Sequence, residues 1–220
     1  MPQFKPAVRY YLLLTVSAAA LGLAACGGRD AKNDIADAQP AAPKAAVATA
    51  PAEDMASSPF MSVEMTMNEK MMAAVSSSPE HTWAMKMLAH HQGAIDMSQA
   101  LLAKSPNGPM QKMAQKTIDD QTKDIAELQK WLQSHKASPG ANANPFGEIE
   151  MRMHERMMAA TGADLDEAWA RKMIEHHQGA VDTAKIVLRD AKDTEIRRIA
   201  QMTSDKQTKE IEMLRSMSAR

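Results

Sequence analysis

From residue 59 onward the chain repeats one pattern. Long stretches carry apolar residues three and four apart, and short clusters of Ser, Pro, Gly and Asn separate them. That period belongs to amphipathic helices, not strands. The breaks fall at Ser76–Pro79, Ser105–Pro109, Ser138–Gly140 and Thr161–Gly162, all residue types that interrupt helices. Between them the pattern predicts short helices at about 62–75 and 148–160, and long ones at about 79–104, 109–135, 164–190 and 192–217. These spans are rich in Ala, Met, Leu, Gln, Glu and Lys, which are good helix formers. Ser78 and Asp164 stand where N-caps belong. In the last span Ile196, Ile199, Ala200, Thr203, Gln207, Ile211 and Leu214 form one buried-looking stripe.

The pattern is a duplication. At an offset of 86, Met67–Ala74 meets Met153–Ala160, Trp83 meets Trp169, His90–Asp96 meets His176–Asp182, and Gln121–Ile125 meets Gln207–Ile211. About 26 of 66 positions are identical without a gap, too many for coincidence. Each repeat supplies one short and two long helices. The expected fold is therefore all-α: a four-helix bundle with pseudo-twofold symmetry, plus a short leading helix in each repeat. Repeat 1 is expected at 59–140 and repeat 2 at 141–220, packed as one domain.

The first 58 residues read differently. Lys5 and Arg9 precede an apolar run, Tyr11–Ala25, which is too short to span a membrane and suits a secretory signal. The run ends Leu-Ala-Ala-Cys-Gly, which resembles a lipobox cut before Cys26. Residues 1–25 are thus an expected lipoprotein signal, with Cys26 the lipidated residue. Cutting there takes the formal net charge from −1 to −3. The rest, to about residue 58, is Ala- and Pro-rich and lacks the apolar mass to fold, so a tether is expected. The expected location is the bacterial envelope, lipid-anchored and facing the periplasm. Gly27, where an Asp would favour retention, points to the outer membrane.

Composition narrows the chemistry. Lys+Arg number 26 and Asp+Glu 27, which speaks against a nucleic-acid binder. A single cysteine excludes an intrachain disulfide and a Cys-based zinc site. Neither a nucleophile elbow nor a phosphate loop is visible, so no enzyme is expected. Methionine, however, numbers 20 of 220.

Met87, His90, His91, Ala94 and Met97 follow helical steps from Trp83, and Met173, His176 and His177 repeat the arrangement from Trp169. Small Gly93 and Ala94 are expected to leave room beside the first pair. Di-iron bundles place Glu three residues before His. Here the residue is Met, and thioether with imidazole suits Cu(I), with Ag(I) as its surrogate. Met151, His154 and Met158 form a further i, i+3, i+7 series. Against this, methionine is an ordinary core filler. The competing reading makes His91 and His177 packing groups, bonded to Asp96, Asp182 or backbone. His81 and His135 read as surface residues, and Gln121 and Gln207 as possible buried amides.

Met-x-x-His-His-Gln-Gly-Ala-Ile-Asp-Met (87–97) and Met-x-x-His-His-Gln-Gly-Ala-Val-Asp (173–182) resemble the signature of a bacterial ferritin-like domain family of formerly unknown function, which includes CopM-like periplasmic copper-binding proteins. The resemblance spans roughly 62–218. It implies a ferritin-like bundle that binds Cu(I) or Ag(I) in copper tolerance. Met87, His90, His91 and Met97 would act in the first copy and Met173, His176 and His177 in the second. The second copy departs at Thr183, opposite Met97. Two functions are therefore in contention: an envelope lipoprotein that binds copper ions, and a metal-free helical interaction module.

Overall fold

The computed structural model describes residues 58–137 and 140–218, so the expected signal segment, Cys26 and nearly all of the expected tether lie outside the described residues. Within them are six helices: α1 (Met61–Ala73), α2 (Pro79–Lys104), α3 (Gln111–Ser134), α4 (Gly147–Ala159), α5 (Leu165–Asp190) and α6 (Thr194–Ser218). Each lies within two residues of its expected start and end. The extended pairing among the described residues is one isolated bridge, Ser76 with Ala143.

Side-chain caps fix the starts of α2, α5 and α6. Ser78 Oγ accepts from the His81 N–H at 3.1 Å, with Pro79 at the first helical position. Asp164 Oδ1 accepts from the Glu167 N–H at 2.8 Å, while Glu167 reaches back to the Ala163 N–H at 2.7 Å. Asp193 caps α6 through the Ile196 N–H at 2.7 Å.

Short connections make α2 with α3, and α5 with α6, antiparallel hairpins. The hairpins pack through α2 on α5 and α3 on α6, and α1 and α4 lie against α2, α5 and each other. This is a ferritin-like four-helix bundle with two extra short helices. Two apolar clusters fill its ends. One holds Met97, Leu101, Met113, Trp169, Met173 and Leu214. The other holds Trp83, Met87, Leu128, Trp131, Val187 and Ile196. Along every long helix the residues between these ends are buried but polar: His90 and His91 on α2, Thr117 and Gln121 on α3, His176 and His177 on α5, Thr203, Gln207 and Glu210 on α6. The bundle therefore has a polar waist.

Two buried ion pairs join the repeats. Lys86 of α2 lies 2.9 Å from Glu150 of α4, and Lys172 of α5 lies 2.8 Å from Glu64 of α1. Each ammonium also donates to a carbonyl in the last turn of its own repeat's short helix, Met71 at 2.6 Å and Met157 at 2.8 Å. A cation there adds a second donor to a carbonyl of the last turn and complements the helix dipole. Burial pushes the Glu64 carboxyl up, and Lys172 only partly offsets this. Neither repeat holds these charges alone, so the two copies behave as one folded body.

Candidate functional site

The waist is organised by the first histidine of each pair. His90 Nε2 donates to the His176 carbonyl at 3.0 Å, and His176 Nε2 donates to the His90 carbonyl at 3.0 Å. The rings lie face to face, with centroids 3.6 Å apart and planes 33° apart. The pseudo-twofold axis thus passes between them. A carbonyl can only accept, so both Nε2 atoms carry the proton and both Nδ1 atoms carry a lone pair. Neither Nδ1 has a hydrogen-bond partner among the described residues.

The second histidines flank this pair. His91 lies 5.9 Å from His90 and His177 lies 5.6 Å from His176, centroid to centroid and edge-on. All four rings are fully buried. Burial, then the neighbouring His91 and His177 charges, hold His90 well below the ordinary imidazole range, and burial and His90 do the same for His176. Burial, then His177 and Lys206, push His91 down to about 3. Neutral imidazole is the form that ligates a metal. Neither His91 nor His177 has a hydrogen-bond partner at either ring nitrogen among the described residues.

Sequence reasoning missed Glu210, whose Oε2 lies 3.2 Å from His177 Nε2. Burial pushes its carboxyl up, but His177 and Lys116 overcome this and hold it at about 2. The equivalent Asp124 is one methylene shorter and pairs with Lys206 instead. The identical Gln-Thr-Lys frame around both carboxylates was the available signal.

The expected room beside the pairs is filled. Met67 of α1 crosses Gly93 so closely that a Cβ there would sit 2.3 Å from its sulfur, and Met153 of α4 crosses Gly179 in the same way, at 2.2 Å. The glycines admit the short helices rather than a ligand. Replacing Gly93 with Ala forces Met67 to move, and should lower stability by about 1–3 kcal/mol, as overpacking does. Chemical denaturation checks this, and Met67→Ala in the same chain should restore part of the loss.

The proposed thioethers do not all gather at the waist. Met87 belongs to one apolar end and Met97 and Met173 to the other. Thr183 has a packing reason to differ from Met97: its hydroxyl accepts from the Trp83 indole at 3.3 Å across the repeats. On α4, His154 and Met158 are half-buried and Met151 is exposed, as are Met65 and Met72 of α1. Asp96 and Asp182 accept from Gln92 and Gln178 and not from the histidines. Gln121 and Gln207 are buried, as expected. His81 and His135 are not free surface groups: both are half-buried against Trp131, with centroids 4.9 and 4.7 Å away. Among the described residues, no group of three or more His, Cys, Asp or Glu is arranged to hold a metal ion. An ion in the waist would have to be held by two imidazoles, or with help from sulfur or amide.

The sequence matches the profile of a domain of unknown function, DUF305, over residues 32–132 and again over 80–218. The chain belongs to the DUF305 family. The two matches overlap over residues 80–132. The crystal structure of a DUF305 fragment from Deinococcus radiodurans is similar in fold, at 22% identity and a TM-score of 0.52, covering 66% of this chain and 98% of that one. CopM is 26% identical in its Cu(I)-bound form, with a TM-score of 0.47 over 63% of this chain and 94% of that one. In its Cu(II)-bound form it is 26% identical, with a TM-score of 0.49 over 66% and 97%. No curated protein matches this DUF305 chain. No described helix is long and apolar enough to cross a membrane.

Proposed function

We propose that this DUF305 protein is a copper-binding envelope lipoprotein. It takes up Cu(I), with Ag(I) as a surrogate, through His and Met for copper buffering or tolerance, and it is not an enzyme. Lipid on Cys26 would anchor it facing the periplasm, with the outer membrane favoured. The observation that carries this reading is the waist: four buried imidazoles with unpartnered ring nitrogens. Each unpaired buried polar group costs about 1–3 kcal/mol, and a soft ion would satisfy several at once. Imidazole and thioether are both donors that copper accepts. Met151, His154 and Met158 on α4 offer a second, more accessible set of the same chemistry.

The purified protein should withdraw Cu(I) anaerobically from a chromophoric chelator. Met87→Leu/Met173→Leu and His154→Gln/Met158→Leu variants then assign the sulfur contributions, since Leu keeps the methionine volume at a cost below about 1.5 kcal/mol. A wild-type protein that takes no copper ends this reading.

The reciprocal His90–His176 hydrogen bonds favour a second reading, a metal-free interaction module in which the histidine pairs are packing groups. It predicts that His90→Ala and His176→Ala lower the melting temperature while metal binding is absent throughout.

A further inference from the structure

The sides of the waist are closed in different ways. Two are the hairpins themselves, where α2 packs along α3 and α5 along α6. A third, between α2 and α5, lies under α1 and α4, with Met67 seated on Gly93 and Met153 on Gly179. The last lies between α3 and α6. These two helices meet far less closely than the partners within either hairpin, and α1 and α4 pack on the opposite side.

What crosses this last side at the level of the waist is charge. Lys116 of α3 lies 2.7 Å from Glu210 of α6. Lys206 of α6 pairs with Asp124 of α3, and Arg198 of α6 pairs with Glu127 of α3. The three cations are 40–45% exposed, so salt in the solvent reaches each pair. Apolar side chains hold the ends of these helices: Met113, Leu128 and Trp131 on α3, Ile196, Ile199 and Leu214 on α6. Between the ends they bury Thr117, Gln121, Thr203 and Gln207 instead. Thr117 Oγ1, Gln121 Oε1 and both amide atoms of Gln207 have no hydrogen-bond partner among the described residues. One chain of contacts runs from solvent to the histidines here: Lys116 to Glu210 at 2.7 Å, and Glu210 to His177 Nε2 at 3.2 Å.

We propose that the seam between α3 and α6 is the entrance to the waist, a gate zipped by these ion pairs that parts to admit water and small cations. Exposed ion pairs hold weakly, so the seam opens more readily than the apolar ends. As it parts, Lys116, Lys206 and Arg198 swing into solvent and leave Asp124, Glu127 and Glu210 lining the opening. A mouth lined by carboxylates favours a cation over an anion. The copper reading would make Cu(I) that cation, but the gate does not depend on it.

Deuterium exchange at the imidazole C2–H, mapped by mass spectrometry in the whole metal-free protein, reads access to His91 and His177. Raising sodium chloride from about 0.01 to about 1 M shortens the screening length from about 30 to about 3 Å. Exchange at both rings should then quicken several-fold, while the half-buried His154 on α4, the internal reference, keeps its rate. Arg198→Gln should quicken exchange at low salt by up to about fivefold, and so should Asp124→Asn/Lys206→Gln, which strands no carboxylate. Both should flatten the salt dependence. Exchange through the seam should respond only weakly to urea, because parting two helices exposes far less surface than unfolding.

Rates at His91 and His177 that ignore salt and the seam variants, or that rise with urea as steeply as global unfolding, overturn the gate and leave the copper reading standing. Should a variant fail to fold, the salt and urea responses of the wild type decide alone. Exchange that follows the expected course in a protein that takes no copper keeps the gate and ends the copper reading.

Discussion

Acidifying the protein from pH 7 to 4.5 should remove on the order of 2–3 kcal/mol of stability at most for each of His90, His91 and His176. The folded state keeps these imidazoles neutral, since burial and neighbouring histidines lower all three. The unfolded chain takes up their protons below about pH 6.5. Below that point the unfolded state binds more protons than the folded one, so stability falls with pH. For His91 the loss continues until the folded ring protonates at about 3. Glu210, held at about 2, adds to the loss below the ordinary carboxylate range. Glu64 works in the opposite sense, because its raised carboxyl takes a proton in the folded state first. One such proton does not offset three histidines. The sum approaches the whole stability of an ordinary domain, about 5–15 kcal/mol. Thermal melts between pH 7.5 and 4.5 should show a steep fall in melting temperature, and His91→Gln should make it shallower. A flat profile would mean that the waist protonates without unfolding.

Lys86→Met should cost about 3–5 kcal/mol, because it strands Glu150 in the interior without its cation. The same is expected of Lys172→Met, which strands Glu64. The double variant Lys86→Met/Glu150→Leu should recover most of the loss or exceed wild type. A buried pair replaced by apolar groups is often neutral or stabilising, whereas a broken one is not. Urea denaturation midpoints of the single and double variants decide this. Equal destabilisation by single and double would show that the ammonium matters chiefly as the cap on the Met71 carbonyl.

Much of this was legible from residue order. Ser78 and Asp164 announce helix starts because capping is local, acting over three residues. The stripe from Ile196 to Leu214 faces the core because a helix of 3.6 residues per turn aligns those positions. The offset of 86 implies a twofold axis, since two copies of one hairpin pack most simply by symmetry. The histidine pairs were marked by recurrence. Their contacts were not: the partner of each first histidine is its own counterpart 86 residues away. The recurrence of Lys86 as Lys172, and of Glu64 as Glu150, was a readable sign of the buried pairs, but not of which lysine meets which carboxylate.

The sequence by itself determined the helices, their boundaries, the duplication, the bundle and the histidine-bearing face, because these follow from spacing and capping within a few turns of chain. Only the tertiary structure decided that His90 and His176 bond to each other, that Met67 and Met153 occupy the space over Gly93 and Gly179, that Glu210 and not Asp124 meets a histidine, and that the lysines cross between repeats. Those are contacts between segments far apart in the chain. They depend on which helix faces which, and on differences as small as the single methylene between Asp and Glu.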